Sequence, residues 1–400
     1  MNRRFQFAVV ASSTCIVLLL LFGAVKVRSA STSDPYGHLG VYSEVLSRIK
    51  LDYVEEPDMK AVTLGAINGL LESLDPFASY LNAAQYKQYQ EAQQAKRPDV
   101  GLILSKRFGY LTVVSAAPGS SAFKAGLGTG DVIETISKVS TRDMPLAFAE
   151  ILMQGEAGSS VEIGVLRARR SETQKISLVR QPVTFPPVSA RMADNQVGVI
   201  TTTTLARGRA AEIAAKISEL EKQGAKKLIL DLRHCANGVP AEGIAAANLF
   251  MDKGLITYTQ GQKSTRENFE AVASKAVTKL PLAVITGRGT AGAAEIAAAA
   301  LLESKRADVV GERTFGDAAV RRPITMDDGG AVILSVAKYY SPSGKAIQDT
   351  YVTPNVPQAD ADAPADTDDD PNDPNDTPAA KPGTDLPLER AMKLLITIVK

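Results

Sequence analysis

The second half of the chain alternates short apolar runs with amphipathic helical segments, and this alternation restricts the possible folds more than any other feature of the sequence. Ile213, Ile217 and Leu220 recur on one face of the first helical segment, as expected for a helix that packs on a sheet. The predicted strands lie over residues 196–201, 227–232, 281–285, 308–310 and 331–339, and the predicted helices over 209–223 and 293–302. Strands that alternate with helices in this way indicate an α/β domain.

Residues 97–182 have a different pattern, in which glycine turns separate short apolar strands. Gly-Leu-Ile-Leu at 101–104 is followed by Tyr-Leu-Thr-Val-Val at 110–114, by a proline-glycine turn at 118–119 and by Gly-Asp-Val-Ile at 130–133. These residues, in this order, resemble a PDZ domain of the bacterial protease type. The resemblance implies a compact β-sandwich or barrel-like domain.

The PDZ resemblance also implies a peptide-binding groove, because such domains bind an extended peptide as an added strand at an exposed sheet edge. By resemblance, Gly101 lets the backbone curl so that its amides face a C-terminal carboxylate. Leu102, Ile103 and Leu104 offer the strand edge, and a helix over 145–153 forms the second wall. The alternative is a rigid spacer in which Leu102 and Leu104 are ordinary core residues, since alternate positions of any strand can be buried.

Five further blocks resemble, in order and spacing, the carboxyl-terminal processing (tail-specific) proteases of peptidase family S41. They are Leu-Asp-Pro at 74–76 with Ser-Tyr at 79–80, Asp-Leu-Arg at 231–233, Gly-Thr-Ala-Gly-Ala-Ala-Glu at 289–295, Val-Gly-Glu-Arg-Thr-Phe-Gly at 310–316, and Tyr-Ser-Pro-Ser-Gly at 340–344 with Thr-Pro at 353–354. The resemblance covers about residues 36–356. It implies that the α/β domain is of the ClpP/crotonase-like type.

The same resemblance indicates that the family's catalytic residues have been replaced. The family's chemistry needs a serine hydroxyl that a lysine amine activates. By the family's spacing these positions are Gly292 and Asp317, and Arg321 stands where a glutamine orients the lysine. Asn237 and Gly238 lie in a remnant of the loop whose glycine amides hold the oxyanion. We therefore expect that Ser-Lys catalysis is lost and that Asp317 and Arg321 form an ion pair.

Three other residues are candidates for a displaced catalytic site. Thr290 lies two positions before Gly292, Lys305 lies further along the chain, and Cys235 follows His234. Adjacent side chains in an extended segment point apart, so His234 is a poor activator of Cys235. The simpler interpretation is a loop that has diverged, with Cys235 as a small buried residue.

The N-terminus predicts a membrane anchor. Arg3 and Arg4 precede an apolar run over residues 7–25 that is long enough to cross a bilayer, and their charge predicts that the short end stays in the cytoplasm. Lys26 and Arg28 interrupt the small residues that cleavage needs, which favours an uncleaved signal-anchor over a cleaved signal peptide. This predicts a single-pass protein of the bacterial inner membrane with its domains on the periplasmic side.

Composition argues against several other classes of function. The formal net charge is +1 and the basic residues are scattered, so we expect no nucleic-acid partner. Cys15 lies inside the N-terminal apolar run, so the remaining chain offers one cysteine and two histidines, fewer than the four N or S ligands of a structural zinc site, and we predict no metal and no cofactor. The Asp- and Pro-rich residues 357–384 predict a disordered linker, with calcium binding as the alternative.

These patterns predict a multidomain α+β chain. Its parts are an anchor over 1–28, a helical region over 34–96, a PDZ domain over 97–182, the protease-type domain over 183–356, the linker, and a C-terminal helix over 385–400. The leading hypothesis is a catalytically inactive protease homologue that binds peptide or protein C-termini and scaffolds or regulates an active protease, of which a homologue is one candidate. The alternatives are an active serine-type endopeptidase with displaced residues and a purely structural envelope protein.

Overall fold

A computed structural model of the chain describes residues 39–95, 97–107, 109–142, 144–167, 172–360 and 384–397. The predicted anchor and nearly all of the predicted acidic linker lie outside these residues. Within the described ranges no helix combines the length and the apolar character needed to cross a membrane. The chain divides into two compact units, residues 1–65 and 66–400.

The described part of the first unit is helical, as the apolar spacing predicted. It contains α1 (Leu39–Asp52) and the beginning of α2 (Met59–Glu72), which continues into the second unit. No residue of α1 is buried, and Leu39, Val41 and Val45 are among the apolar side chains exposed to solvent.

The described residues of the second unit form four sheets and the helices that cover them. The helices are α3 (Ala83–Gln94), α4 (Ser121–Lys124), α5 (Leu146–Met153), α6 (Arg209–Lys222), α7 (Pro240–Asn248), α8 (Ala293–Glu303), α9 (Ile347–Thr350) and α10 (Leu386–Thr397). The strands are β1 (Ser79–Leu81), β2 (Leu102–Arg107), β3 (Tyr110–Ala116), β4 (Val132–Ile136), β5 (Val139–Ser140), β6 (Ser160–Leu166), β7 (Gln174–Val179), β8 (Ser189–Ala193), β9 (Val197–Thr201), β10 (Thr204–Leu205), β11 (Lys227–Asp231), β12 (Asn237–Gly238), β13 (Leu255–Gln260), β14 (Glu267–Glu270), β15 (Leu282–Thr286), β16 (Asp308–Gly311), β17 (Ala319–Thr325), β18 (Ala331–Tyr340) and β19 (Val356–Pro357).

The first sheet is antiparallel, with strand order β2-β3-β4-β6-β7 and β5 added to β4. Ile133 and Ile163 on the strands pack with Ala149 and Met153 of α5 to form its core. β2 is an edge strand, because β3 is its only strand partner among the described residues. Its outer edge therefore carries backbone groups that no neighbouring strand pairs.

The central sheet has the order β19-β16-β15-β11-β9-β8, and all of its strands are parallel except β8. Four of the predicted strands are β9, β11, β15 and β16, with bounds within one residue of the predicted ones. Helices α6, α7 and α8 bury their apolar residues against one face. Ala391 and Leu395 of α10 pack on the other face, against Val197, Ile229 and Ile285. Both faces are covered, which explains why strands such as β9, β11 and β15 have several apolar residues in succession instead of an alternating pattern.

A second antiparallel sheet joins distant parts of the chain. Its order is β1-β18-β13-β14, and β17 pairs with the other edge of β18. Ser79 of β1 pairs with Ile333 of β18, so the segment that follows α2 is built into a sheet whose other strands lie within residues 255–340. This pairing brings the loop at 74–78 to the cleft described next.

Candidate functional site

Gly292 forms the sharp turn that connects β15 to α8. Its backbone has φ 60° and ψ −116°, a conformation that residues with a side chain adopt only under strain. A Cβ placed on Gly292 would meet only one atom, the carbonyl oxygen of Asp317, at 3.4 Å. The structure therefore brings together the two positions that the sequence predicted as the former catalytic pair, and position 292 has room for a side chain.

Glu295, at the start of α8, fixes the geometry of this turn through hydrogen bonds to its buried side chain. Its buried carboxylate accepts hydrogen bonds from the backbone N–H groups of Gly292 (2.9 Å), Gly316 (2.7 Å) and Asp317 (2.7 Å) and from the hydroxyl of Thr314. Burial raises the pKa of Glu295 to about 7, while these four donors act in the opposite direction and favour the ionised form. One carboxylate thus ties the 292 turn to the 314–317 loop.

Asp317 and Arg321 form the predicted ion pair on the open side of the cleft. The Arg321 guanidinium also stacks over the ring of Phe77, with 3.7 Å between its central carbon and the ring centroid. Phe77 is held in place because Asp75 accepts hydrogen bonds from the backbone N–H groups of Phe77 and Ala78, each at 2.8 Å. The residue that follows the Leu-Asp-Pro block therefore supplies the aromatic ring on which the Arg321 guanidinium stacks.

Glu150 of α5 adds a further charge beside this pair. The residue is exposed, but desolvation of its carboxylate by the surrounding protein raises the pKa of Glu150. The positive charge of Arg321 lowers that pKa, and the negative charges of Asp317 and Asp99 raise it further. A helix of the first sheet thus presents a carboxylate to the cleft of the second half of the chain.

The predicted oxyanion-loop remnant is ordered as the short strand β12. Asn237 and Gly238 pair in parallel with Thr204 and Leu205, and the Thr204 hydroxyl donates to the Asn237 carbonyl at 3.2 Å and contacts its side-chain Oδ1 at 3.0 Å. A Cβ on Gly238 would lie 2.8 Å from the Leu205 carbonyl oxygen, so the two backbones approach closely. Both Asn237 and Gly238 are exposed to the solvent side of the loop.

Neither Thr290 nor Cys235 has the surroundings of a nucleophile. The fully buried Thr290 hydroxyl donates to the Leu232 carbonyl (2.8 Å) and accepts from the Gly287 N–H (3.0 Å), so it stabilises the loop. Cys235 is also fully buried, and burial raises the pKa of its thiol to about 12. His234 is exposed while Cys235 is buried, as the alternation of adjacent side chains predicted.

Lys305 lies at the opposite end of α8 from Gly292, so its amine is not placed at the turn. It is exposed and follows the helix C-terminus, whereas Gly292 precedes the N-terminus. With a rise of 1.5 Å per residue, the two positions are about 20 Å apart. The structure therefore does not gather Thr290, Cys235 and Lys305 into one site.

Arg233 of the Asp-Leu-Arg block connects this loop to the C-terminal helix. Its guanidinium donates to both carboxylate oxygens of Asp385, each at 2.8 Å, and to Asp231 at 2.7 Å, and Asp360 lies 3.5 Å away. Although burial works against the charge, the hydrogen bonds to Asp231 and Asp385 raise the pKa of Arg233. Since Asp385 also accepts the Leu388 N–H at the start of α10, this arginine anchors the helix to the loop.

A cavity of about 420 Å³ lies where the first sheet meets the oxyanion-loop remnant. Gly101, Leu102 and Ile103 line it together with Asn237, so the predicted peptide-binding loop and the degenerate loop share one space. Leu104 does not line it, because its side chain is buried in the core of the first sheet. The remaining lining residues are Ala92, Ala95, Arg97, Asp99, Ala117, Gln154, Pro182, Val183 and Phe185.

Several site residues have no counterpart among the sequence predictions. Phe77 lies inside a recognised block, but nothing local shows that its ring lies under an arginine 244 positions later. Asp99 and Glu150 belong to no sequence motif, and only tertiary packing brings them close to the site. Glu295 has a local signal, an acidic residue three positions into a helix after a glycine turn, which is typical of a capping interaction. Across the described ranges, no group of three or more His, Cys, Asp or Glu side chains is arranged to hold a metal ion.

Comparisons with known proteins show which family the chain resembles. A family model described as peptidase family S41 matches residues 196–358. The carboxy-terminal processing protease CtpA of Bacillus subtilis is 34% identical over 351 residues, which cover 87% of this chain and 74% of that protein. The carboxyl-terminal-processing protease of Synechocystis is 33% identical over 311 residues, which cover 76% of this chain and 73% of that protein.

A solved structure has a similar fold as well as a similar sequence. The photosystem II D1 C-terminal processing protease superposes with a TM-score of 0.66 at 30% identity, over 79% of this chain and 86% of that chain. Its match extends well beyond the residues that the family model covers. On these similarities, the chain belongs to peptidase family S41, among the carboxy-terminal processing proteases.

Proposed function

We propose that this chain is a PDZ-containing member of the family that binds peptide or protein C-termini without cleaving them, and that it scaffolds or regulates an active protease. An active homologue of the same family is the partner that this proposal favours. The apolar run over residues 7–25 supports placing it in the bacterial inner membrane with its domains on the periplasmic side.

The observation that carries the proposal is the shared cavity beside the free edge of β2. An extended peptide can add to that edge through backbone hydrogen bonds, and the cavity beside Leu102 and Ile103 provides space for its last side chain. The same cavity reaches Asn237, so a bound C-terminus would lie next to the former oxyanion loop. The proposed binding groove therefore borders the oxyanion-loop remnant, while Gly292 and Asp317 do not line the cavity.

Loss of cleavage is supported by the residues at the turn. Gly292 has no nucleophilic atom, and the neighbouring Asp317 offers a carboxylate that is paired with Arg321 instead of a free amine. A Ser-Lys mechanism requires both a hydroxyl and an unprotonated amine. The surroundings of Thr290, Cys235 and Lys305 give no support to a displaced site.

The test measures cleavage and binding on the same detergent-solubilised full-length protein. Fluorescent casein reports cleavage, and fluorescence anisotropy reports binding of labelled decapeptides with a free C-terminus. We expect no cleavage, and we expect binding that Ile103→Asp weakens at least tenfold, because a charge would be introduced into the cavity. Ile324→Asp is the matched control, since Ile324 is an exposed apolar residue on β17 that does not line the cavity.

Three outcomes would separate the alternatives. Casein cleavage that Cys235→Ala or Thr290→Ala abolishes would show an active peptidase and overturn the proposal. Absence of peptide binding would favour a structural envelope protein. The combined variant Gly292→Ser, Asp317→Lys and Arg321→Gln asks whether the cleft still supports the family's chemistry, and restored cleavage would support loss through these positions alone.

A further inference from the structure

The loop that is predicted to hold a peptide carboxylate already holds a carboxylate of its own chain. The Asp99 side chain accepts a hydrogen bond from the backbone N–H of Gly101. Gly101 needs its glycine, because its φ is 84° and a Cβ there would overlap the Ser120 side chain. The donor that this glycine turns toward the cavity is therefore occupied.

The backbone of Asp99 is held in place independently of its side chain. Its backbone is fixed by two hydrogen bonds with Gln181, Asp99 N–H to O and Gln181 N–H to O, each 3.0 Å long. Its side chain, in contrast, lines the cavity and is only partly buried. A rotation of the side chain alone would free the Gly101 amide.

We propose that Asp99 is an internal competitor for the C-terminal carboxylate of the bound peptide, so that the groove favours ligands able to displace it. This inference rests on the proposed peptide-binding function and adds its regulation. A peptide carboxylate and the Asp99 carboxylate cannot share one amide donor, and two negative charges this close would repel each other.

The competition should depend on pH. Burial raises the pKa of Asp99 above its ordinary value, while its bond to Gly101 and the charge of Arg180 act in the opposite direction. The other charged groups near it are Arg97, which lines the same cavity, and Glu150 of α5. A peptide C-terminus has a pKa of about 3.3–3.7, so acidification protonates Asp99 first and leaves the peptide ionised.

The experiment uses two pools of fluorescein-labelled decapeptides that differ only at the C-terminus, one with the free acid and one with the amide. Both pools end in Ala, Val or Leu, because Leu102, Ile103 and Val183 form an apolar part of the cavity wall. Asp99→Asn keeps an acceptor for the Gly101 amide and removes the charge, and Asp99→Ala removes both. We expect Asp99→Asn to bind the free-acid pool about tenfold more tightly than the native chain, and Asp99→Ala at least as tightly.

The amide pool should change less than about twofold in either variant, because it carries no competing charge. The native chain should bind the free-acid pool more tightly as the pH falls from 7 into the range in which Asp99 is protonated, and Asp99→Asn should lose that trend, which assigns it to Asp99 and not to Glu150. Asp328→Asn is the matched control, since Asp328 makes the same kind of bond to the Gly330 N–H (2.8 Å) in a distant turn.

Two results would overturn the inference. If Asp99→Ala weakens binding of the free-acid pool while Asp99→Asn leaves it unchanged, Asp99 only shapes the loop, and peptide binding itself still stands. If neither pool binds the native chain or either variant, the proposed function fails and the inference fails with it.

Discussion

The buried support of the cleft and its open face differ sharply. Below the 292 turn, Glu295 is fully buried and receives four hydrogen bonds, and Gly243 of α7 packs so closely on α8 that a Cβ would overlap the Ala293 carbonyl oxygen. On the open face, Asp317 and Arg321 form one partly exposed ion pair, and Gly292 has unfilled space above it. The support, Glu295 and Gly243 with their contacts, fixes the backbone of the 292 turn. The open face, at positions 292, 317 and 321, carries the side chains that a catalytic reaction would use.

This difference shows that the two layers can change independently. The side chains of Asp317 and Arg321 are partly exposed, so we expect their replacement to leave the backbone of the turn unchanged. The support has no such freedom, because each of its groups satisfies several buried donors or fills a close contact. We therefore expect mutations in the support to affect stability far more than mutations on the face.

The largest effect is expected for Glu295→Ala. Three backbone N–H groups and the Thr314 hydroxyl would lose their buried acceptor, which should lower the free energy of unfolding by about 3–5 kcal/mol. Urea unfolding monitored by circular dichroism measures this. Glu303→Ala, at the other end of α8, is the control: Glu303 accepts from Ser341 and Ser343 but is only partly buried, so about 1 kcal/mol is expected. Equal losses would contradict the view that the burial of Glu295 and its four donors makes this carboxylate critical for stability.

A pair of glycine substitutions sharpens the comparison. Gly243→Ala should cost about 3 kcal/mol, because two helix backbones must separate to admit the methyl group. Gly292→Ala should cost about 1–2 kcal/mol, since the added Cβ has space and only the positive φ is unfavourable. Thermal and urea unfolding of both variants report the difference. A larger loss for Gly292→Ala would show that the turn no longer accommodates a side chain.

The smallest effect is expected on the face itself. Arg321→Ala removes a partly exposed ion pair and a stacking contact with Phe77, worth together about 1 kcal/mol. Arg48→Ala on α1 removes an i,i+4 ion pair with Asp52 that is more exposed and has no stacking contact, so about 0.3 kcal/mol is expected. The same unfolding measurements apply. Arg321→Ala would break the comparison if it cost as much as Glu295→Ala.

Much of the central sheet could be predicted because its signals are local. Buried strands such as β11 are continuous apolar runs, and the face of α6 repeats at helical spacing. The helix α7 is absent from the sequence predictions because it is short and contains Gly243, although Pro240 at its first turn is a typical start signal.

The residues of the site could be predicted only where a family motif fixes their spacing along the chain. Gly292, Asp317 and Arg321 lie together as expected, because family spacing encodes that proximity. The contact between Phe77 and Arg321 and the bond between Asp99 and Gly101 depend on tertiary packing and on side-chain rotation. Neither contact produces a periodic pattern in the sequence, so neither could be predicted from it.

The pairing of β1 with β18 has a consequence for the order of folding. Ser79 and Ile333 are about 250 residues apart along the chain, so this contact closes a very long loop and must form slowly. Until it forms, one edge of β18 is available to strands of other molecules. Pairing of the three residues of β1 with β18 therefore covers this edge late in folding. We expect newly made chains to be most prone to aggregation before β1 pairs with β18.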